Sequence, residues 1–305
     1  MLRYLVLRLL QVLLAVFITV TVVFVLTRVT GDPVLLYLPQ DVTPTDIAEL
    51  RQRLGFDRPI HEQYAVFLWG ALHGDFGDSL RYRESAFALV LQRVPATLIL
   101  GGWALLVTAL VSVPLGVGAA IWRGTLFDRA AIALISAGQA LPGFWLGLIL
   151  IWVFAVQLGW FPTGGTGGWR HLVLPVVTLA AFSAARIARV TRTAVLEVIN
   201  KDYTRTAWAK GLTPRGVFAK HVLKNAAIPI ITVFGLDAGA LLGGAVVTET
   251  IFSWPGMGRY IVDALLARDF PIVIVGVLFT SVIYLVVNLL VDLSYTLIDP
   301  RIEVS

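Results

Sequence analysis

Few residues of this 305-residue chain are placed to do chemistry, and each lies in or beside an apolar run. Asp237 is the single charge in the stretch 226–248. A carboxylate at that depth in a bilayer costs about 2.5–3.5 kcal/mol on insertion scales, so it marks either a transport path or a partnered structural site. On the first reading it lines the path, where it would meet a cationic amino group. On the second it bonds a hydroxyl or backbone group of a neighbouring helix. Glu249 opens the outer stretch that ends in "FSWPGMGR" and is a candidate gate residue. The four histidines (His61, His73, His171, His221) fall outside the apolar cores or at their edges. No glutamate lies within an apolar run, and there is no cysteine. A nucleophile with its base is therefore not expected, nor a catalytic, cofactor or metal site. The glycine-rich stretch 161–168 has no strand before it and no Gly-Lys after it. It reads as a connector, and the chain carries no Walker A sequence. Any ATP that drives it must be bound by a partner chain.

Composition explains this scarcity. Hydrophobic residues make up 58% of the chain and charged residues 14%, with a mean hydropathy of +0.83. Soluble domains carry roughly 25% charged residues. A soluble enzyme, a disordered chain and a nucleic-acid reader are excluded, and the net charge of +5 takes its meaning from the side of the membrane on which each charge lies.

A spanning helix needs about 20 mainly apolar residues. The runs at 9–27, 94–122, 130–160, 172–185, 226–248 and 272–291 give six spans. The first ends in Arg28 and Gly31-Asp32-Pro33 with no small-residue cleavage site, and reads as an uncleaved span. Pro142 is expected to kink the third. The fourth is only 14 residues long and reaches spanning length if Arg186 and Arg189 extend to the interface. In the fifth, Gly235, Gly239 and Gly243 permit close helix contact. All four lysines (Lys201, Lys210, Lys220, Lys224) fall in 186–225. Six spans place that loop and both chain ends inside, in keeping with the positive-inside rule. The expected organisation is an all-α polytopic membrane protein: 1–93 as the first span with an outer region, 94–297 as the membrane core, and 298–305 as an inner tail.

In the outer region, Thr45 is expected to cap a helix through Leu54 that stops at Gly55. Ile60, Tyr64, Phe67, Leu68, Ala71 and Leu72 recur at helical spacing, which suggests helices lying on the membrane surface and offering a docking face to a soluble partner. The inner loop carries more pattern. Residues 202–210 read as a short helix stopped by Gly211, and Thr213 caps a second with Pro214 at its first position. Val217, Phe218, His221 and Val222 make its face. Two short capped helices form a rigid knob suited to docking in a partner's groove, with Ala207 at the contact.

Arg205-Thr206-Ala207-Trp208-Ala209-Lys210-Gly211 resembles the EAA-x-x-x-G signature of ABC importer permeases, and the family's following I-x-L-P falls on 221–224. Arg205 stands in place of the Glu and Lys224 in place of the Pro, as in the peptide/nickel branch. "GDP" at 31–33, "LGFDRPI" at 54–60, "GDFGDSL" at 74–80, "LGWFPTGG" at 158–165 and "FSWPGMGR" at 252–259 extend the resemblance over nearly the whole chain. It is similar to the first of the two permeases in dipeptide, oligopeptide and glutathione importers. The resemblance implies a type I importer fold with six transmembrane helices in the bacterial cytoplasmic membrane. It implies a second, homologous permease as partner, and two cytoplasmic ATPases docked on Arg205, Thr206, Ala207, Gly211 and His221. An extracytoplasmic substrate-binding protein would deliver small peptides. A nickel or other small-solute importer of the same family is the alternative. An ion-coupled secondary transporter fits less well, since no internal repeat is evident and a single ionisable group lies within a span.

Overall fold

The computed structural model describes residues 2–29, 43–53 and 55–298. The "GDP" motif and the inner tail beyond 298 lie outside the described residues, as does Leu54. Among the described residues the chain is helical, and the only bridge between extended segments is the isolated pair Asp78 and Ser85. It divides into two compact units, Met1–Pro95 with Tyr260–Leu285, and Ala96–Arg259 with Val286–Ser305.

In the first unit, α1 (Leu2–Val29) has an apolar stretch at Leu9–Val25, and α3 (Ile60–Leu72) packs against it. The stripe expected to lie on the bilayer is used partly within the chain. The Tyr64 hydroxyl bonds Thr21 Oγ1 at 2.6 Å, and Phe24 meets the rings of Tyr64 and Phe67 at 5.1 and 5.4 Å. Ile60 and Leu72, at the two ends of the stripe, stay exposed. The preceding α2 (Pro44–Arg53) begins one residue before the expected cap, directly after Thr43, and Gly55 follows it with φ +70°.

The "GDFGDSL" segment is held by Asp269, which directly precedes α13 (Phe270–Ile298). Its carboxylate is 1% exposed and accepts from the Ser79 hydroxyl and from the backbone N–H of Leu80 at 3.3 Å and Arg81 at 3.4 Å. Nearby, burial pushes the Tyr260 phenol up to about 12, helped by the neighbouring Tyr82, so it stays neutral under the Arg93 guanidinium 5.2 Å from its ring centre.

The second unit is built around α8 (Trp169–Ile199), the most buried of the candidate spans. It packs against α6 (Leu126–Ala140), α7 (Gly143–Leu150) and α11 (Lys224–Ile251). Leu100 and Ala104 of α5 (Val94–Ile121) join Leu179, Ala180, Leu241 and Ala245 in one apolar cluster. Small residues allow the approach: a Cβ on Gly116 would strike the Ala188 carbonyl and Thr191, and one on Gly235 would strike Val291.

The fourth expected span, 172–185, lies within a longer helix. Helix α8 runs for 31 residues, with Arg186, Arg189 and Arg192 inside it. The third span is broken rather than kinked, its halves meeting at 103°. Leu141 and Pro142 leave the helical region with ψ 127° and 135°, because proline bars the α conformation from its predecessor and offers no N–H of its own. Helix α7 then continues as a π-helical turn, Ile151–Gln157. Among the described residues four helices are long and apolar enough to cross a membrane, and there are five if the bent pair crosses as one span. The remaining expected span is α1.

Asp269→Ala should release the 79–85 segment, orphaning the Ser79 hydroxyl and the Leu80 N–H at about 1–3 kcal/mol each when they stay buried, while the Arg81 N–H keeps Ser79 Oγ. Limited proteolysis of the purified protein should cut this segment at least about tenfold faster than in wild type, with Asp269→Asn intermediate.

Candidate functional site

The expected site residues fall in three places, all in the second unit. The first is the inner knob. Helix α9 (Asp202–Ala209) is followed by Gly211 with φ +76°, a left-handed conformation that costs a residue with a β-carbon about 1–2 kcal/mol. The Thr213 hydroxyl then accepts from the Gly216 N–H at 3.2 Å, and Pro214 opens α10 (Pro214–Val217). Both caps stand where the sequence puts them. The second helix is not a separate short one, however. It passes through a π-helical turn, Phe218–Leu223, into α11 without leaving the helical region.

Arg205 and Thr206 are exposed; Arg205 makes only a surface pair with Asp202 at 3.9 Å, and the Thr206 hydroxyl donates to the Asp202 carbonyl at 2.9 Å. Ala207 faces inward and is 4% exposed. The expectation that it touches a partner's groove gives way, because the chain's own helices cover it. His221 is half-buried in the π turn. The apolar surface that the knob does present comes from Tyr203, Trp208 and Leu212, which the sequence reading did not single out. Trp208 also lines a cleft of about 580 Å³ with Ile121, Thr204, Pro214, Arg215 and Phe218.

The second place is Asp237 on α11. It is buried, and Arg186 of α8 makes an ion pair with its Oδ1. Among the described residues its partner is this arginine, not the hydroxyl or backbone group that the structural alternative supposed. The sequence held one signal of this: in a medium without water a buried carboxylate calls for a cation, and Arg186 is among the few within reach of a neighbouring span.

The third place is Glu249, fully buried at the C-terminal end of α11. Its Oε1 accepts from the Thr97 hydroxyl at 2.6 Å and its Oε2 from the Arg259 N–H at 2.9 Å. Thr97 Oγ1 in turn accepts from the Met257 N–H at 2.8 Å. The Glu249 carbonyl takes the Trp254 N–H at 2.8 Å, and the indole N–H of Trp254 donates to the Ala96 carbonyl at 2.9 Å. Gly256 and Gly258 leave room for the carboxylate, since a Cβ on Gly256 would overlap it. The glycine loop joins the same assembly: the Gly165 N–H donates to the Phe252 carbonyl at 2.8 Å, and a Cβ on Gly164 would strike that carbonyl. "LGWFPTGG" and "FSWPGMGR", about ninety residues apart in sequence, thus form one outer turn clamped by Glu249. Thr97, the hinge of that clamp, was not legible from sequence.

A bundle of apolar helices with a capped inner knob and a clamped outer turn is the build of a transport permease. Residues 112–304 match the family described as binding-protein-dependent transport system inner membrane component, and residues 1–101 match the N-terminal part of such components. The chain is 42% identical to the di/tripeptide transport system permease protein DppB of Pseudomonas aeruginosa, over 97% of both chains. It is 40% identical to the dipeptide transport system permease protein DppB of Escherichia coli K12, over 90% of both. It is 39% identical to the glutathione transport system permease protein GsiC of Salmonella choleraesuis, over 99% of both. Among solved structures, the inward-facing MetNI methionine ABC transporter superposes with a TM-score of 0.57 at 20% identity, over 69% of this chain and 96% of that one. The chain belongs to the family of binding-protein-dependent transport system inner membrane components, and is a multi-pass inner-membrane protein with the type I ABC importer permease fold.

Thr97→Val keeps the shape but removes a hydroxyl that serves both Glu249 and the Met257 N–H, leaving two buried groups unpartnered at about 1–3 kcal/mol each. Thermal unfolding of the purified protein in detergent should move to lower temperature in Thr97→Val, and stay near wild type in Thr97→Ser.

Proposed function

We propose that this chain is the translocating subunit of an ATP-driven importer of small peptides, glutathione included. The observation that carries the reading is identity of about 40% over nearly full length with permeases of dipeptide and glutathione systems. The knob supports it, since Trp208, Tyr203 and Leu212 present apolar surface beside Arg205 and Thr206 on the loop that holds all four lysines. On this reading both chain ends and the stretch after α8 that holds the four lysines face the cytoplasm. Two ATPase subunits bind ATP and dock on the knob, a homologous permease completes the membrane path, and an extracytoplasmic binding protein delivers the peptide. This chain itself carries no cofactor. Glu249 serves as the positioning residue of the outer gate, and Gly211 sets the angle of the knob.

A Cβ added at Gly211 meets nothing of this chain within 4 Å, so within the chain Gly211→Val acts through backbone strain at φ +76°. The variant should insert normally and yet lose most peptide uptake and substrate-stimulated ATP hydrolysis in proteoliposomes containing all subunits. Wild-type coupling in Gly211→Val would reduce the loop to a basic tether. Uptake by the wild-type complex that follows a proton gradient and ignores ATP would overturn the importer reading. A single cysteine at position 220 of this cysteine-free chain should resist an impermeant thiol reagent in intact cells, and labelling from outside would overturn the orientation.

A further inference from the structure

Two ion pairs in the second unit, each with a buried aspartate, differ in how completely they are satisfied. Asp128 and Arg192 form a closed clamp: Nε donates to Oδ1 at 2.8 Å, NH2 donates to Oδ2 at 3.0 Å, and the Gly124 N–H adds a third bond to Oδ2 at 2.9 Å. Asp237 and Arg186 form an open one. The Asp237 side chain is 2% exposed, yet its Oδ2 has no hydrogen-bond partner among the described residues, and neither has Nε of Arg186. The Arg186 side chain is 41% exposed. A pair whose only task was to hold α8 to α11 would spend these groups on each other, as the first pair does.

Depth adds a second constraint. Asp237 lies thirteen residues after Lys224 and fourteen before Ile251, about 20 Å from either end of α11. Arg186 lies seventeen residues after Trp169 and thirteen before Ile199 in α8. A guanidinium uncovered at mid-depth is not stable against acyl chains, so its open side faces other protein or a water-filled path.

We infer that Arg186 and Asp237 form a binding site for the two charged ends of a peptide zwitterion in transit. The inference rests on the importer reading above. An anion and a cation stand side by side, each with one free hydrogen-bonding position. In the empty protein each neutralises the other, so no charge at that depth is uncompensated. An entering peptide exchanges partners: its ammonium takes Asp237 and its carboxylate takes Arg186. One ion pair becomes two, and the net charge at that depth stays zero. An extended dipeptide reaches about 7 Å, so the two side chains must part to hold both ends. Arg186, the longer and more exposed, is the one that moves. A solute lacking one end would leave Asp237 or Arg186 uncompensated, which makes the pair a selectivity filter for zwitterions.

The test uses the complete transporter in proteoliposomes with internal ATP and one binding protein throughout. A free dipeptide is compared with its C-terminal amide, so the binding protein's own preference cancels when variants are compared by the ratio of the two uptake rates. Arg186→Gln should lower uptake of the free dipeptide about tenfold or more while the amide loses much less, and the ratio should narrow. Arg186→Lys keeps the cation and should keep the wild-type ratio. The exchanged pair, Arg186→Asp with Asp237→Arg, should co-purify with its partners yet fail to restore uptake of the free dipeptide, because the polarity presented to the substrate is reversed. A wild-type ratio in Arg186→Gln, or wild-type uptake in the exchanged pair, overturns the site and leaves a helix clamp. Where Arg186→Gln fails to assemble, the exchanged pair decides: wild-type uptake of the free dipeptide by it overturns the site. Failure of the wild-type complex to import peptide with ATP would count against the importer reading instead.

Discussion

A charge sunk in an apolar interior must be answered from within the chain, because no water is there to answer it. Among the described residues four carboxylates are almost fully buried, and the structure around them is set by their answers. Asp269 is met by a hydroxyl and two backbone N–H groups, which pins an outer loop to the start of α13. Glu249 is met by a hydroxyl and a backbone N–H, which folds the outer turn of the second unit over its own carboxylate. Asp128 and Asp237 are met by arginines of α8. The same helix therefore supplies two cations at different depths, and its long buried face is the reference against which α6, α7 and α11 are set.

Much of this was legible in the sequence where the controlling physics is local. Gly211 ends a helix because its left-handed φ follows from the lack of a β-carbon, and Thr213 with Pro214 starts the next for equally local reasons. The spans follow from apolar run length. What was not legible is who meets whom. Thr97 and Glu249 are 152 residues apart, Ser79 and Asp269 are 190 apart, and Arg186 reaches Asp237 across a whole loop. Periodicity says which face of a helix is apolar, not which neighbour lies against it. Ala207 shows the same limit. Its place in a signature suggested contact with a partner, whereas its burial is decided by how the knob folds on itself. The break at Pro142 was read too mildly because a proline alone does not report whether the chain resumes its direction.

The family assignment and the geometry address different levels of the molecule. Similarity to peptide and glutathione permeases extends over nearly the whole chain, and at 20% identity the methionine transporter shares only the fold. The distinctive groups sit at fixed stations along α11: the knob at its inner approach, Asp237 near its middle and Glu249 at its outer end. Each holds a conformation or a charge in place.

The absence of any break between the knob and α11 has a mechanical meaning. Helix α11 alone has 28 residues and is about 42 Å long. A tilt of about 5° applied at one end of a helix of that length sweeps the other end by about 4 Å, comparable to the spacing of neighbouring side chains on a helix. On the importer reading, a displacement at the knob would reach the turn beyond Glu249 along one continuous helix, with no refolding in between.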